Sequence, residues 1–275
     1  MQTCLFYGNC QTNALCEIFS HIANYKFIRI PPVHKLKTED IQYIYTILPT
    51  LDILIIQNIS DNYKNNYKLS TKSIVSYTNK NCKIIYIPVC YFDFYYPNLI
   101  FLDSNDTSLQ EHYHDKYLLK LYFNNDDDII NKYLKYINDK TVYSTNYLLH
   151  KAYSSICEMK KRENEKRHDI KISNFIENNF RKYLLFYTNN HPTKYLLNYI
   201  CEQLCEILNI PYREQNIDPM DNKIIPIQMS LQNVVDFNIR NYVPILNNTC
   251  DYRNIANYLV DLYDNEKFSF IKYFH

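Results

Sequence analysis

Blocks of apolar and polar residues follow one another along the chain and predict strands and helices in turn. Short, nearly continuous apolar or aromatic runs are typical of strands buried on both faces of a parallel sheet. Strands are predicted at residues 3–7, 26–30, 52–57, 83–87 and 183–187. Apolar positions at helical spacing predict helices at residues 12–23, 38–48, 109–122, 128–137, 146–167, 193–208 and 252–263. The alternation of the two patterns favours an α/β fold.

The predicted architecture is an α/β three-layer sandwich, in which helices cover both faces of a mainly parallel sheet. No internal repeat, long linker or low-complexity boundary divides the 275 residues. The sequence therefore predicts a single α/β domain over residues 1–275, with a mainly helical insertion around residues 101–180.

Composition narrows the classes of partner. The 30 lysines and arginines balance 29 aspartates and glutamates, so the broad basic surface of a non-specific nucleic-acid binder is absent. The longest apolar run, residues 84–92, contains Pro88 and is about half the length of a membrane span, and no signal peptide is visible. Nine cysteines without the dense spacing of a secreted disulfide scaffold indicate reduced thiols and a cytoplasmic location. We expect neither a nucleic-acid partner nor a membrane span.

The sequence Gly8-Asn9-Cys10-Gln11 predicts a strand, a tight turn and a helix. Gly8 is the only glycine in the chain, and glycine takes positive φ freely or lets a ligand approach the backbone closely. The turn would place Cys10 at a helix N-terminus, where N–H groups and the helix dipole lower the pKa of a thiol. The same N–H groups would suit an oxyanion or a phosphate. Cys10 is therefore a candidate nucleophile, and Gly8, Asn9 and Gln11 are candidate cofactor-binding residues.

Polar residues also follow two other predicted strands. Asn58, Asp61 and Asn62 come after the third strand, and His191 comes after the fifth. One interpretation is that they are turn and cap residues. In the other, Asn58 or Asn62 donates to an oxyanion, Asp61 contacts substrate or orients a base, and His191 is the general base beside Cys10.

Three further features carry two interpretations each. The aromatic segment 91–97 either packs or stacks on a sugar or adenine, while Asp93 accepts hydrogen bonds from hydroxyls. Lys194 is either a solvated helix residue or a cationic partner for the phosphates of a cofactor. The mixed-charge stretch 160–171 is either a solvated helix face or a docking surface for a phosphorylated ligand.

Cys201 and Cys205 are four residues apart on an apolar helical stripe. Metal ligation is one use of such a pair, but thiols on an apolar stripe favour burial as small hydrophobes. The sequence predicts no metal site.

In combination these motifs resemble the WcbI-type polysaccharide biosynthesis acetyltransferase family, in order and rough spacing over residues 3–210. The resemblance is carried by Gly8-Asn9-Cys10-Gln11, Ser60-Asp61-Asn62-Tyr63, Ile85-Tyr86-Ile87-Pro88 leading to Phe92-Asp93 and Tyr96-Pro97, and Asn190-His191-Pro192-Thr193. It implies an enzyme of bacterial capsule biosynthesis that uses coenzyme A or acetyl-CoA as co-substrate and O-acetylates a sugar. It also implies a fold similar to the SGNH hydrolases and flavodoxin, and we expect substrate contacts from Asn62, Tyr63, Asp93 and Asn190.

Carried over from the SGNH pattern, Cys10 takes the position of the nucleophilic serine and His191 that of the catalytic histidine. The sequence departs from this pattern at Thr188, where SGNH enzymes have an aspartate three residues before the histidine. The glycine of their second conserved block has no counterpart either. A Cys-His pair oriented by an asparagine is chemically workable, but the missing carboxylate puts a full triad in doubt.

The leading hypothesis is acyl transfer from a coenzyme A thioester to a sugar hydroxyl. Either Cys10 becomes acylated and His191 then activates the hydroxyl, or His191 deprotonates the hydroxyl for direct attack while the Cys10 turn holds the thioester oxygen. One alternative makes water the acceptor, which gives an SGNH-like esterase or thioesterase. Another is a non-catalytic module that binds a glycan or nucleotide sugar.

Overall fold

The computed structural model describes residues 1–101, 113–124, 126–221 and 226–242, together with residues 252, 253, 256, 257, 260 and 261. Its strands are β1 (Thr3–Tyr7), β2 (Lys26–Ile28), β3 (Ile53–Gln57), β4 (Lys83–Ile87), β5 (Leu99–Phe101) and β6 (Tyr113–Asp115). Its helices are α1 (Cys10–Ser20), α2 (Thr38–Ile47), α3 (Thr71–Ser76), α4 (Lys116–Phe123), α5 (Ile129–Asn138), α6 (Thr145–Glu165), α7 (Ser173–Asn179) and α8 (Lys194–Leu208). The predicted α/β class is confirmed.

The chain divides into two compact units. The first is built from Met1–Tyr91, Ile156–Phe180 and Asn190–Asp221, and the second from Phe92–Ser155 and Arg181–Asn189 together with the C-terminal residues. The organisation as one α/β domain with a helical insertion stays a prediction. None of the described helices combines the length and apolar character needed to cross a bilayer.

The first unit contains a four-stranded sheet in the order β2-β1-β3-β4, and every pairing in it is parallel. The register aligns Tyr7 with Ile56 and Gln57 with Ile87. Because parallel strands end at the same edge of a sheet, the segments that follow β1, β3 and β4 leave from neighbouring positions. The predicted parallel sheet is confirmed, and its carboxyl edge collects these segments.

Both faces of this sheet are apolar because side chains alternate along each strand. On one face Leu5 and Leu54 pack in a buried cluster with Ile44 of α2 and Ile74 of α3. On the other face the ring of Phe6 meets that of Phe19 of α1, with centroids 5.9 Å apart, and α1 also packs against α8. Each such buried side chain contributes about 1.5–3 kcal/mol. This packing holds β1 and α1, which flank the turn at Cys10.

Cys201 and Cys205 lie on α8 and are both buried. Their prediction as packed thiols is confirmed.

The strand predicted at residues 183–187 is wrong, although residues 184–187 are buried as expected and only Tyr183 is exposed. In the second unit its backbone is irregular, with bends at residues 183 and 187 and an isolated bridge at Phe186. The hydroxyl of Tyr95 donates to the carbonyl of Tyr183 at 2.9 Å, and the N–H of Leu185 donates to that hydroxyl at 3.4 Å. The hydroxyl of Tyr95 thus forms hydrogen bonds with these two backbone groups, which in a strand would bond to a neighbouring strand. The apolar character of the run therefore predicted burial, but it did not predict which groups bond to the backbone of the run.

The remaining differences concern short or partly described elements. The second strand ends at Ile28 rather than at residue 30. Helices α3 and α7 and strands β5 and β6 were not predicted, because three to seven residues show too little periodicity. The helix predicted at residues 109–122 is wrong at residues 113–115, which form β6, and α4 begins at Lys116. The rest of its N-terminal part, and part of the helix predicted at residues 252–263, lie outside the described residues.

Candidate active site

The turn between β1 and α1 has the predicted form. Cys10 is the first residue of α1 and is half-buried. Asn9 caps the helix, because its side-chain oxygen accepts the N–H of Gln11 at 3.0 Å. The carbonyl of Asn9 accepts the N–H of Thr12 at 3.0 Å. The turn is therefore fixed by its own hydrogen bonds and presents the Cys10 thiol at the carboxyl edge of the sheet.

Gly8 is required for space and not for backbone conformation. The described residues with positive φ are Lys64, Asn65 and Asn209, so that explanation for the glycine is wrong. A Cβ at Gly8 would lie 2.3 Å from the side-chain oxygen of Gln57 and 2.6 Å from the Thr12 methyl carbon. The close approach predicted at this glycine is therefore made by another side chain of the protein.

Cys10 and His191 meet although 181 residues separate them. The Cys10 sulfur lies 3.8 Å from Nε2 of His191, a hydrogen-bonding distance for sulfur, and both side chains are half-buried. A neutral imidazole at this distance can take the thiol proton and leave a thiolate beside an imidazolium. The structure thus brings together the two residues on which the predicted chemistry depends.

The side-chain amide of Gln11 connects the helix that begins at Cys10 to the segment that carries His191. Gln11 is fully buried. Its NH₂ group donates to the carbonyls of Cys90 at 2.8 Å and Asn190 at 2.6 Å. Its oxygen accepts the N–H of Cys90 at 2.9 Å and the NH₂ group of Gln57 at 3.1 Å. Because two donors and two acceptors complete its capacity, Gln11 positions the residue before His191 and has no bond left for a cofactor.

Gln57 holds the turn at Cys10 in place, and no sequence pattern had assigned it a role. It ends β3 and is buried. Its oxygen accepts the N–H of Asn9 at 2.9 Å, and its NH₂ group donates to Gln11 and, at 3.2 Å, to the carbonyl of Pro88. A glutamine at the end of an otherwise apolar strand was the available sequence signal. Gln57 ties the segments after β1, β3 and β4 into one edge.

The amide of Asn58 is engaged by the segment that follows α6. Its NH₂ group donates to the carbonyl of Arg167 at 3.0 Å and lies 3.3 Å from Nε2 of His168. Nδ1 of His168 lies 3.2 Å from the carbonyl of Lys166, so the proton belongs on Nδ1 and Nε2 accepts from Asn58. Burial lowers the pKa of His168 and favours the neutral ring. These contacts anchor Asn58 to residues 166–168, and no sequence motif had indicated a role for His168.

The loop after Asn58 lies at the surface. Asp61 and Asn62 are exposed, and Tyr63 begins a 3₁₀ turn. Asp61 and Asn58 line the same groove, which has a volume of about 640 Å³. The loop therefore contributes to an open groove beside the sheet edge.

Two other predicted binding residues are engaged within the chain. Asp93 belongs to the second unit, where its carboxylate lies 3.2 Å from Nζ of Lys151 and accepts the hydroxyl of Ser155. Lys194 is the first residue of α8, and its Nζ donates to the side-chain oxygen of Asn216 at 2.5 Å. Both contacts occupy groups that the sequence motifs assigned to substrate or coenzyme A.

Cys10 differs from most other described cysteines in exposure. Six described cysteines are buried: Cys4, Cys16, Cys82, Cys90, Cys201 and Cys205. Burial raises the pKa of Cys16, Cys82 and Cys205 to about 11 and that of the other three further. Cys157 is exposed, so it is the natural reference for the reactivity of Cys10.

No group of three or more His, Cys, Asp or Glu side chains that could hold a metal ion occurs in the part of the chain that the structure describes.

Fold and site together define an α/β protein with a thiol–imidazole pair at the carboxyl edge of a parallel sheet. Such a pair suits nucleophilic and general-base chemistry. Residues 3–213 match the family described as polysaccharide biosynthesis enzyme WcbI. The chain therefore belongs to the WcbI family of polysaccharide biosynthesis enzymes, as its motifs indicated.

A solved structure shares the fold. It is that of WcbI, described as a novel polysaccharide biosynthesis enzyme, in a native form without a disulfide bond between CoA and one of its cysteines. The TM-score is 0.75 at 20% sequence identity, over 97% of this chain and 90% of that chain. No match was found among curated proteins.

Proposed function

We propose that this protein transfers an acyl group from coenzyme A to a hydroxyl of a sugar or glycan precursor, with Cys10 and His191 as its catalytic residues. The observation that carries the proposal is the 3.8 Å separation of the Cys10 sulfur from Nε2 of His191. Family membership supports a polysaccharide acceptor. The description of the solved WcbI structure, which names CoA and a cysteine, supports the donor.

In the covalent route His191 first takes the proton of the Cys10 thiol. The thiolate attacks the carbonyl carbon of the donor thioester, a new thioester forms at Cys10, and coenzyme A leaves with the proton held by His191. His191, neutral again, takes the proton of the sugar hydroxyl. The sugar oxygen attacks the acyl group on Cys10, the product ester forms, and the Cys10 thiolate is restored.

The direct route needs donors in the turn for the thioester oxygen. Two candidate donors are already used, because the N–H of Asn9 donates to Gln57 and that of Gln11 donates to the Asn9 side chain. An oxyanion forms on the thioester oxygen in both routes, so these bonds do not separate the two. The 3.8 Å contact between Cys10 and His191, which gives the thiol its base, is what favours the covalent route.

Intact-mass spectrometry after incubation with acetyl-CoA tests the covalent route. We expect one added acetyl group that peptide mapping places on Cys10. In His191→Ala it should form more slowly, because the thiol loses its base, and persist longer once formed, because the base for the second step is missing. Cys10→Ala should carry no adduct, and Cys157→Ser should behave as the wild type. Absence of an adduct on Cys10 in both the wild type and His191→Ala overturns the acyl-enzyme.

The acceptor is tested by adding sugars to the isolated acyl-enzyme. Loss of the acetyl group only with a glycan acceptor supports a transferase. Acetate release at the same rate without sugar makes the protein an esterase or thioesterase. Full biological function of Cys10→Ser and His191→Ala proteins instead favours a glycan-binding module.

The finer expectations belong to the same proposal. Asp61 is proposed to contact bound substrate, Asn62 and Tyr63 to contact the acceptor, and Asn58 to support that loop. Asn190 is proposed to act through its backbone, since its carbonyl holds Gln11. A role in capsule synthesis, a cytoplasmic location and an SGNH-like fold are proposed with them, and the buried thiols are consistent with a reducing compartment.

A further inference from the structure

A groove beside the candidate active site has the composition of a phosphate site. Six of its lining residues define what we call the basic groove: Asn58, Asp61, Lys72, Tyr86, Lys166 and Arg167. Its volume is about 640 Å³, within the usual size of small-molecule sites. All six belong to the first unit.

Two lysines supply uncompensated charge to this groove. Lys72 comes from α3 and Lys166 follows α6, and neither forms an ion pair with another described residue. Lys166 also lines a second cavity of about 210 Å³ that shares Asn58 with the groove. Nearby Glu163 is buried, and its carboxylate accepts the N–H groups of Ile172 and Ser173. That carboxylate is therefore satisfied without either lysine.

An aromatic ring and a guanidinium form another wall. The guanidinium carbon of Arg167 lies 4.6 Å from the centre of the Tyr86 ring. A guanidinium beside an aromatic ring suits contact with the face of a nucleobase, and Arg also pairs with phosphate. The ion pair of Arg167 with Asp169 is long, at 3.7 Å, and its two side chains are 65% and 31% exposed, so it competes weakly with a ligand.

We infer that the basic groove binds a nucleoside 5′-diphosphate, with Lys72 and Lys166 on the phosphates and the base against Tyr86 and Arg167. Asp61 accepts a ribose hydroxyl at the rim. The choice of probes rests on the proposed function, under which such a nucleotide has two sources. One is the nucleotide half of coenzyme A, and the other is the nucleotide of an activated sugar.

The position of the groove fits a ligand that reaches the catalytic pair. Asn58 directly follows Gln57, whose side chain contacts Asn9 next to Cys10. The smaller cavity is lined by Pro88, whose carbonyl accepts from Gln57. The groove therefore opens from the same sheet edge that holds Cys10.

Calorimetric titration of the full chain with three probes tests the inference. The probes are adenosine 3′-phosphate 5′-diphosphate, uridine diphosphate and inorganic pyrophosphate. We expect a nucleotide to bind at least about tenfold more tightly than pyrophosphate, because the base adds stacking. Preference for the adenosine probe assigns the groove to the donor, and preference for uridine diphosphate assigns it to an activated sugar. Equal affinity for all three probes overturns the nucleotide assignment.

Variants separate the groove from general electrostatics. Lys72→Ala/Lys166→Ala should weaken nucleotide binding by more than about tenfold, since charge-assisted hydrogen bonds are lost. Lys26→Ala/Lys161→Ala removes the same charge from exposed sites outside the groove and should bind as the wild type does. Binding by the groove variant that equals the wild type overturns the inference.

The two proposals fail separately. Cys10→Ala should keep nucleotide binding while it loses the acyl adduct. An acyl-enzyme that forms without any nucleotide binding at the groove overturns this inference alone. Nucleotide binding that depends on Lys72 and Lys166, without an adduct on Cys10, overturns the covalent function alone.

Discussion

The side-chain amide of Gln57 donates to the side-chain oxygen of Gln11 at 3.1 Å, and both residues are buried. Through this bond the end of β3 is joined to the first turn of α1, and Gln11 extends the connection to the carbonyl of Asn190. The segments that carry the thiol and the imidazole are thus tied together by two buried amide side chains. Such support fixes the geometry that a catalytic pair needs.

Gln11→Ala should lower the free energy of unfolding by about 3 kcal/mol, because it leaves the buried partners of four hydrogen bonds unsatisfied. Urea unfolding measures this change. Gln203→Ala on α8 is the control, since its contacts with Lys171 are long, at 3.3 and 3.4 Å, and its loss should cost a few tenths of a kcal/mol. Equal losses in the two variants would contradict the positioning role of Gln11.

Gly8→Ala should destabilise the protein by about 2 kcal/mol, because the new methyl group would meet Gln57 at 2.3 Å and Thr12 at 2.6 Å. A double-mutant cycle with Gln57→Ala checks the cause. In the Gln57→Ala background the same glycine substitution should cost less than about 1 kcal/mol, since the main obstacle is gone. A cost that is unchanged in that background would mean that Gln57 is not what excludes a side chain at position 8.

Cys10 should be alkylated by iodoacetamide faster than Cys157 at about pH 7, because His191 can take its proton. In His191→Ala the rate at Cys10 should fall by about tenfold while that at Cys157 stays the same. Peptide mapping by mass spectrometry follows both sites in one sample. A rate at Cys10 that does not respond to loss of the imidazole would remove His191 from the proposed pair.

Ionisation of the buried carboxyl of Asp115 should lower the free energy of unfolding as the pH rises from about 4 to about 7. Burial raises the pKa of Asp115 from 3.8 to about 6, even though its carboxylate caps α4 and accepts from Tyr133. A folded pKa above the unfolded value means that the folded state holds more protons in this window. Stability is therefore fully present below pH 3.8 and declines, by about 3 kcal/mol, as the pH passes 6.

Urea unfolding of Asp115→Asn at several pH values checks the sign. The variant cannot ionise, so its stability relative to the wild type should increase between about pH 4 and about pH 7. Asp127→Asn, at an exposed site before α5, controls for a lost surface charge. A difference between wild type and Asp115→Asn that does not vary with pH would rule out this linkage.

Local patterns in the sequence determined much of the frame. The apolar runs located β1, β3 and β4 to within a residue, because a strand buried on both faces must be apolar along its length. Gly8-Asn9-Cys10-Gln11 located the turn, since a cap residue and a helical stripe follow a strand there. Because the strands were predicted to be parallel, the polar residues that follow them had to lie at the same edge of the sheet. The motifs were also sufficient to indicate the family.

Only the tertiary structure decided which polar residues meet. In the folded chain the Cys10 sulfur lies 3.8 Å from Nε2 of His191, and the amides of Gln11 and Gln57 bond to each other. In the second unit Asp93 forms an ion pair with Lys151. At residues 183–187, where a strand was expected, the carbonyl of Tyr183 accepts a hydrogen bond from the hydroxyl of Tyr95 instead. Periodicity records which face of an element is buried. Hydrogen-bond partners far apart in the chain are chosen by packing, which no local pattern encodes.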